Sequence, residues 1–378
     1  MKTLLITGNC GHIGTNITLE AIKRGWKVIG MDNLHREQVI DNLRYLKDFN
    51  KYLQDVKPHD PTISHGSFEF VWGDVRNMDD FDRIPKVDAI IHLAANPGIP
   101  WSIQYPTYDF ETNARGTLNA LEFARKCGNV PFVYASTNKT FSDIINTIPV
   151  KELEKRYIWD SNSVHLKLAV GMDSKYNKEG EGTDRVLIPE AINENFPVSG
   201  FGKYGHSMYG ISKLTGELYC TEYHTQYGLP VVVNKMSCIF GLFQKGAVEQ
   251  GWISHFLQNI GFGDGRIQIF GTGKQVRDIL DARDLARLYL DEIENIEKAN
   301  GEIFTVGGGS TNTVSLLEAI EEIEKLTGKK ASLEYLSKRS SDQDIYISSL
   351  RHVKEIMGWE PTIKFEQTLK DMMEEYSK

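Results

Sequence analysis

Tyr209 and Lys213 are four residues apart in the run Tyr209-Gly210-Ile211-Ser212-Lys213. Residues four apart on a helix lie on the same face, so both side chains would point the same way. Tyrosine is a poor base at its ordinary pKa of about 10, but a neighbouring ammonium favours the phenolate. The pair could therefore take the proton of an alcohol, although the same spacing also fits an ordinary amphipathic surface helix.

Ser136 and Thr137 supply two hydroxyl groups directly after the apolar run Phe132–Ala135. Ligands of parallel α/β sheets bind at the carboxyl ends of the strands. A hydroxyl at this edge could bind a substrate oxygen and relay its proton to Tyr209. The alternative is a structural role, because Ser and Thr after a strand often cap a helix or form a turn.

A glycine-rich turn follows the first apolar run, Leu4–Ile6, and places glycine at positions 8, 11 and 14. The next stretch, Ile13–Arg24, has a helical pattern. Such glycines let the backbone approach a diphosphate closely, and the helix N-terminus directs its N–H groups at the negative charge. The turn predicts a dinucleotide site.

Asp32 ends the second apolar run, Lys27–Asp32. A carboxylate at this position accepts hydrogen bonds from the adenosine ribose hydroxyls and repels a 2′-phosphate. The sequence therefore favours NAD over NADP as cofactor.

Alternating strand and helix patterns predict a Rossmann-type α/β fold with a doubly wound parallel sheet. Helical patterns lie at Ile13–Arg24, Thr112–Cys127 and Tyr209–Tyr227. The strand candidates are Lys2–Thr7, Lys27–Asp32, Phe68–Trp72, Ala89–Leu93, Pro131–Ser136 and Leu229–Met236.

Two units are expected along the chain. Residues 1–235 form the NAD-binding domain, and residues 236–378 form a smaller α/β lobe for the substrate, with some segments returning to the first domain. The segment from about 143 to 207 breaks the alternation, and long excursions inside a domain are commonly functional. We expect it to lie over the mouth of the active site.

In their order, these motifs resemble the extended short-chain dehydrogenase/reductase family across nearly all of the chain outside 143–207. The segments concerned are Thr7–Gly14, Gly73–Arg76, His92–Ala95, Ser136-Thr137 and Tyr209–Lys213, and Gly273–Asp278 is similar to the nucleotide-sugar branch. The resemblance implies NAD contacts by Gly8, Gly11, His12, Ile13, Gly14, Asp32, Asn33, Arg36, Asp74, Val75, Leu93, Ala94, Ala95, Asn113, Ser136, Tyr209 and Lys213. Of these, Asp74 and Val75 would contact the adenine.

Finer features resemble the CDP-paratose 2-epimerase group, also called CDP-tyvelose 2-epimerases. They are Asp32–Arg36, Ser136–Lys139, Gln250–Trp252, Gly273–Asp278 and Ser341–Gln343. Nucleotide-sugar 4,6-dehydratases follow the threonine with Asp-Glu, whereas this chain has Asn138-Lys139. The resemblance therefore disfavours water elimination, and it places Asn138 and Lys139 against the substrate.

Three departures bear on substrate specificity. Lys235 stands where the family usually has arginine, Thr140–Ser142 replaces a Val-Tyr-Gly motif, and the 143–207 segment is longer than is typical of the group.

The resemblance implies an NAD-dependent epimerase that inverts C2 of a CDP-linked hexose through a transient keto-sugar, for lipopolysaccharide or polysaccharide biosynthesis. Tyr209, Lys213, Thr137 and Ser136 would be the catalytic residues. Arg277 and Arg339 would hold the diphosphate, to which a guanidinium is well suited, and Trp252 would stack on the base or sugar. The alternatives are a 4-epimerase or 4-keto reductase acting on a UDP- or GDP-sugar, and a non-catalytic NAD-sensing protein.

Bulk properties exclude other classes. A net charge of −8 does not fit nucleic-acid binding, and no apolar run is long enough to span a membrane. The four cysteines are widely spaced, the first strand begins at the N-terminus, and the histidines show no metal-ligand spacing. We expect a cytoplasmic protein without a metal. It would be a homodimer or homotetramer that pairs through Thr112–Cys127 and Tyr209–Tyr227.

Overall fold

The computed structural model describes residues 1–36, 38–56, 66–160, 172–176, 187–199, 204–246, 251–339 and 341–377. The strands are β1 Thr3–Thr7, β2 Lys27–Asp32, β3 Ser67–Trp72, β4 Ala89–His92, β5 Phe132–Thr137, β6 Val150–Glu152, β7 Tyr157–Trp159, β8 Met172–Tyr176, β9 Leu187–Ile192, β10 Val231–Met236, β11 Cys238–Phe240, β12 Arg266–Phe270, β13 Val276–Asp281, β14 Ile303–Val306, β15 Thr313–Ser315, β16 Ser332–Leu336 and β17 Ile345–Tyr346.

The helices lie mainly between these strands. They are α1 His12–Lys23, α2 Val39–Val56, α3 Met78–Asp82, α4 Ile99–Gln104, α5 Pro106–Phe110, α6 Gly116–Lys126, α7 Met208–Tyr227, α8 Trp252–Gly261, α9 Ala282–Glu294, α10 Ile296–Ala299, α11 Leu316–Thr327, α12 Arg351–Met357 and α13 Phe365–Tyr376. A π-helical turn, Glu111–Arg115, leads directly into α6, so the helix expected at Thr112–Cys127 is present with an irregular first turn.

The central sheet has seven parallel strands in the order β14-β10-β5-β4-β1-β2-β3. The predicted α/β doubly wound sheet is confirmed, and each predicted strand matches an observed strand to within two residues. The last strand in this order, β14, comes from the C-terminal part of the chain and joins the sheet beside β10. All the strands run the same way, so their carboxyl ends share one edge.

Both faces of this sheet are covered because its strands are apolar on both sides. Leu4 and Ile6 belong to a core with α1 and α9, whereas Leu5 between them belongs to a second core with α6 and α7. This alternation follows from the two-residue period of a strand. Each fully buried leucine or isoleucine contributes about 1.5–3 kcal/mol, so these two layers hold the strand ends in place.

The C-terminal lobe has a third core, to which α8, α11 and α13 contribute Phe256, Ile320 and Leu369. Its sheets are small: β11, β13, β15 and β17 form one, and β12 pairs with β16. In contrast, α9 lies in the same sequence region but packs on α1 under the central sheet.

The described part of the 143–207 segment consists of a 3-10 turn, Asp143–Thr147, and two antiparallel hairpins, β6-β7 and β8-β9. Ile145, Trp159 and Phe196 pack in one cluster with Val276 of β13 and Tyr346 of β17. The segment is therefore joined to the C-terminal lobe by an apolar contact.

Within the described ranges, no helix is both long enough and apolar enough to cross a membrane. In the same ranges, no group of three or more His, Cys, Asp or Glu side chains is arranged to hold a metal ion.

Candidate active site

A cavity of 1130 Å³ opens at the carboxyl ends of the central strands, between the sheet and the C-terminal lobe. Sites for one small ligand are commonly about 300–1,000 Å³, so this cavity has room for a cofactor and a substrate together. Its lining includes Gly8, Gly11, His12, Ile13, Gly14, Asp32, Asn33, Arg36, Val75, Leu93, Ala94, Ala95, Ser136, Thr137, Asn138, Lys139, Tyr209, Lys213, Trp252, Arg277 and Arg339.

Tyr209 and Lys213 lie on the first turns of α7 and both line the cavity. The helix begins at Ser207, whose hydroxyl accepts a hydrogen bond of 3.0 Å from Gly210 N and so caps the N-terminus. Tyr209 N donates to Ser102 Oγ at 3.1 Å, and the Tyr209 hydroxyl is hydrogen-bonded to Thr137 at the end of β5. The start of the helix and the edge of the sheet thus fix the tyrosine.

The pKa values of this pair are shifted mainly by burial. Burial raises the pKa of Tyr209 to about 12, against opposing effects from the Thr137 hydrogen bond and the Arg36 charge. Burial also lowers the pKa of Lys213 to about 8. In the protein without its cofactor, the net shift of the Tyr209 pKa is therefore upward, since desolvation penalises the charged form of each group.

Lys213 has a closely packed environment. Its Nζ lies 4.1 Å from the ring centre of Tyr134, in a cation–π contact, and the side chain is 1% exposed. The Tyr134 hydroxyl donates to the Lys213 carbonyl oxygen at 3.2 Å. This strand-to-helix contact holds the ammonium one helical turn from Tyr209.

Ser136 does not share the role of Thr137. Its hydroxyl donates to the Glu217 carboxylate, which also pairs with Lys235 beneath the cavity. Successive strand residues point to opposite faces, so only one of the two hydroxyls can face Tyr209. The Ser136 hydroxyl belongs to a buried ionic network that also includes Thr140, 2.9 Å from Lys235 Nζ. This geometry favours Thr137 as the catalytic partner, and the role of Ser136 stays a prediction.

The glycine turn has the geometry of a diphosphate cradle. Gly8 has φ +68°, and a Cβ atom there would lie 2.7 Å from Ala94 N. A Cβ on Gly14 would lie 2.5 Å from the Asn9 carbonyl oxygen, whereas one on Gly11 would meet only Gly8 O, at 3.4 Å. Gly8 and Gly14 therefore permit tight packing, while Gly11 leaves the space at the start of α1 open. These residues fit the diphosphate of a dinucleotide.

Asp32 lies at the end of β2 beside this turn. One carboxylate oxygen accepts from Cys10 N at 3.0 Å and the other accepts from Leu34 N at 2.8 Å. A third backbone hydrogen bond comes from Asn33, and a carboxylate has about four acceptor sites, so one remains available for a ribose hydroxyl. The geometry fits the role that the sequence assigns to Asp32.

Two of the predicted cofactor residues do not line the cavity. The Asp74 carboxylate is held by Arg76 Nε and Nη2 at 2.9 and 2.7 Å and by Asn33 Nδ2 at 3.0 Å. The buried amide of Asn113 donates to Ser212 Oγ at 2.9 Å and to Asn96 O at 3.1 Å. In this structure Asp74 orders the loop after β3, and Asn113 ties the loop after β4 to α7. Their contact with the cofactor stays a prediction.

The residues predicted to bind the substrate all line the cavity. Arg277 Nη2 donates to Asp342 at 2.6 Å, and the Arg339 guanidinium lies 3.7 Å from the ring centre of Phe270. Trp252 also comes from the C-terminal lobe, whereas Asn138 and Lys139 follow β5 of the sheet. The lobe thus contributes two guanidinium groups to the cavity.

The described residues between 143 and 207 do not line the cavity. Ile145, Trp159 and Phe196 pack against Ile345 and Tyr346. The expectation that the segment lies over the active-site mouth stays a prediction. The remainder of the segment, including residues 161–171 and 177–186, lies outside the described residues.

Sequence reasoning missed an aromatic group at the cavity. The His35 ring lies 6.3 Å from the Trp101 ring and 5.4 Å from the Tyr108 ring, between centres, and all three residues line the cavity. His35 follows β2 and Trp101 follows β4, on the two strands that flank β1. The available signal was their position after parallel strands, where ligands of this fold bind.

The parallel sheet, the glycine turn and the helix face that carries Tyr209 and Lys213 occur together in this chain. They define a dinucleotide-dependent enzyme of the short-chain dehydrogenase/reductase class. The model of the NAD dependent epimerase/dehydratase family matches residues 4–164, and that of GDP-mannose 4,6 dehydratase matches residues 189–372. CDP-paratose 2-epimerase of Salmonella typhi is 32% identical over 377 residues, which cover 98% of this chain and 97% of that protein. The chain belongs to the NAD-dependent epimerase/dehydratase family of nucleotide-sugar enzymes.

Other similar proteins have related activities. UDP-glucuronate 4-epimerase of Thermodesulfobacterium geofontis is 28% identical, with 98% of this chain and 94% of that protein covered. The solved structure of the Thermus thermophilus UDP-glucose 4-epimerase in complex with NAD has a TM-score of 0.70 and 22% identity, with 99% of each chain covered. The resemblance expected from the sequence is confirmed. NAD is the cofactor of the family.

Proposed function

We propose that this enzyme is an NAD-dependent epimerase that inverts C2 of a CDP-linked hexose, of the type that converts CDP-paratose to CDP-tyvelose. The observation that carries this proposal is the 32% identity to CDP-paratose 2-epimerase over nearly the full length of both chains. The cavity supports it, because Tyr209, the glycine turn and Arg277 all line it.

Tyr209 is the proton acceptor in this proposal. Its hydroxyl lies beside Thr137, which orients it toward a sugar hydroxyl at the end of β5. NAD, when bound, supplies the hydride acceptor and donor. Lys213 would bind the nicotinamide ribose and keep a positive charge near the tyrosine, which favours the phenolate during proton transfer.

The sugar then has to present its other face while the nucleotide stays bound. Arg277 provides the anchor, because a guanidinium held by Asp342 at 2.6 Å offers its remaining donors to a diphosphate in a fixed geometry. Arg339 also lines the cavity. The keto-sugar turns about the anchored phosphate, and Tyr209 returns the proton when the hydride is delivered to the opposite face.

Dehydration is disfavoured by the two residues after Thr137. Asn138 and Lys139 line the cavity at the positions where 4,6-dehydratases carry carboxylates. An amide cannot act as the acid, and an ammonium close to Arg277 is a poor base for carbon acids at neutral pH. The site therefore supports oxidation and return of hydride without loss of water.

A substrate panel tests this function. The purified enzyme is incubated with CDP-, UDP- and GDP-hexoses, including CDP-paratose, and the products are identified by NMR. We expect inversion at C2 of the CDP-sugar without net change in NAD. Inversion at C4 alone on a UDP- or GDP-sugar would support the rival 4-epimerase, and steady consumption of NADPH would support a 4-keto reductase. Bound NAD without turnover of any sugar would support the NAD-sensing alternative.

We also propose a homodimer or homotetramer that acts in the cytoplasm on a free nucleotide sugar. On α7, Ile211 and Leu218 are 48% and 61% exposed, so this helix offers apolar surface to a second copy. The four cysteines are unpaired, which is typical of proteins from reducing compartments. Light scattering that gives a monomer mass would contradict the assembly.

A further inference from the structure

One oxygen atom of the C-terminal lobe holds both side chains that follow Thr137. Gln343 is 2% exposed, and its Oε1 accepts from Lys139 Nζ at 3.1 Å and from Asn138 Nδ2 at 3.2 Å. Gln343 lies between β16 and β17, whereas Asn138 and Lys139 follow β5 of the central sheet. The contact thus joins the edge of the sheet to the lobe that carries Arg277.

Asp342, the residue before Gln343, holds a second cation of the cavity, Arg277. Asp342 Oδ1 accepts from Arg277 Nη2 at 2.6 Å, and its other oxygen lies 3.4 Å from Gln275 Nε2. Asp342 and Gln343 are consecutive, so one short segment holds two cations that both line the cavity. The Asp342 charge acts on both cations, and that of Asp143 acts on Lys139 as well. Both cations line the cavity, where they can bind an anion.

Lys139 is also linked to the reaction centre. Its backbone N donates to Thr137 Oγ1 at 3.3 Å, and Thr137 is the partner of the Tyr209 hydroxyl. A continuous series of contacts therefore runs from Tyr209 through Thr137, Lys139 and Gln343 to the Asp342–Arg277 pair. The ammonium lies within this series, between the proton acceptor and the diphosphate anchor.

The ammonium has donors to spare for a ligand. Among the described residues, Gln343 is the acceptor for one of its three N–H groups, and the other two can serve groups in the cavity. Burial and the nearby Arg277 charge lower the pKa of Lys139 to about 8, so it is mainly protonated at neutral pH. A bound phosphate would reinforce the charged form.

We propose that Lys139 determines specificity by binding both the sugar phosphate and the hydroxyl on the carbon next to it, and that Gln343 positions Lys139. The inference rests on the proposed function and deepens it. In a nucleotide-linked hexose, O2 is on the carbon that neighbours the phosphate-bearing C1, whereas O4 is across the ring. One ammonium group can therefore donate hydrogen bonds to the phosphate and to O2 at the same time, but not to the phosphate and O4. This favours reaction at C2.

The proposed contact is made in both halves of the reaction, before and after the sugar turns. When C2 is oxidised, the C2–H bond breaks with its electron pair going to NAD, the O2 proton goes to Tyr209, and a C2 carbonyl forms. Lys139 keeps its proton and donates a hydrogen bond to the carbonyl oxygen. The return of hydride and proton reverses these changes on the other face, so no further oxidant or reductant is required.

The test compares Lys139→Met and Lys139→Arg with Lys354→Met, an exposed lysine that pairs with Glu360 far from the cavity. We expect Lys139→Met to lower kcat/KM for C2 inversion about 10- to 100-fold, as for loss of a charge-assisted hydrogen bond. Lys139→Arg should recover part of this loss, and Lys354→Met should behave as wild type. Lys139→Met should also weaken binding of CDP at least about tenfold in calorimetry, because the phosphate contact is lost.

The positioning role of Gln343 is tested by the pH dependence of activity, which a purely structural role would not shift. Gln343→Glu keeps an acceptor for Lys139 but adds a negative charge, which raises the pKa of the ammonium. The fall in activity above pH about 8, where Lys139 deprotonates, should therefore move to higher pH in this variant. Gln343→Leu removes the acceptor and should lower kcat/KM without this move.

The outcomes separate the two proposals. Normal C2 inversion in Lys139→Met, with an unmoved pH profile in Gln343→Glu, would overturn the inference and leave the epimerase assignment standing. Wild-type inversion at C4 alone would overturn both. If the wild type converts no sugar, the proposed function fails, and calorimetry alone tests the role of Lys139. Unchanged affinity of Lys139→Met for CDP would then overturn the phosphate contact.

Discussion

Breaking the buried ion pair between Glu217 and Lys235 should strongly destabilise the protein. The two side chains are 5% and 3% exposed, and the ammonium also donates to Thr140 Oγ1 at 2.9 Å and lies 5.0 Å from the Phe141 ring centre. Glu217→Gln would remove the carboxylate that pairs with this buried ammonium. Removing one partner of a buried pair costs about 3–5 kcal/mol, because an uncompensated charge stays buried. We expect a loss of this size.

Urea unfolding measures this loss. The urea concentrations at which Glu217→Gln, Lys235→Met and the double variant are half unfolded are compared with that of wild type. One dependence of the unfolding free energy on urea is used for all four proteins. The double variant should lose less than the sum of the single variants, since it leaves no unpaired charge. The control is Lys126→Met, which breaks the exposed pair with Asp82 at 3.2 Å and should cost no more than about 1 kcal/mol. If Glu217→Gln costs no more than this control, the argument from burial is wrong.

Three further outcomes follow from the site. Tyr209→Phe should lower kcat about 10²- to 10⁴-fold while NAD stays bound, as judged by chromatography of the released cofactor. In protein stripped of NAD, Tyr209 should stay protonated until the pH nears 12. Bound NAD should lower the pKa of Tyr209, because the nicotinamide ring is positive. The difference between the ultraviolet titrations of wild type and Tyr209→Phe, with and without NAD, measures both pKa values. Trp101→Ala removes a ring at the cavity beside His35 and should speed NAD loss on gel filtration. Tyr335→Ala, which removes an exposed ring on β16 outside the cavity lining, should not.

The elements that local pattern controls were predictable from the sequence. The strands at Thr3–Thr7 and Lys27–Asp32 are continuous apolar runs, and the glycine turn between them has its own spacing, so both were found with nearly correct bounds. Likewise, the helix that carries Tyr209 is specified by its own residues. These features need no information from distant parts of the chain.

The features that the sequence does not reveal depend on contacts between distant residues. The choice between Ser136 and Thr137 is made by Glu217 and Lys235, which lie far along the chain from both. Gln343 is 204 residues from Lys139, and no local pattern links them. The pKa of Tyr209 depends on burial by the whole fold, so spacing to Lys213 alone does not give the net direction of its shift.

The most direct measurement of the central proposal follows the hydrogen on C2 of the sugar. CDP-paratose carrying deuterium at C2 is converted in ordinary water, and the product is examined by NMR and mass spectrometry. Because the same hydride leaves C2 and returns to it, we predict a C2-inverted product that keeps its deuterium. Loss of the deuterium to solvent, or inversion at C4 with C2 untouched, would contradict the proposed mechanism.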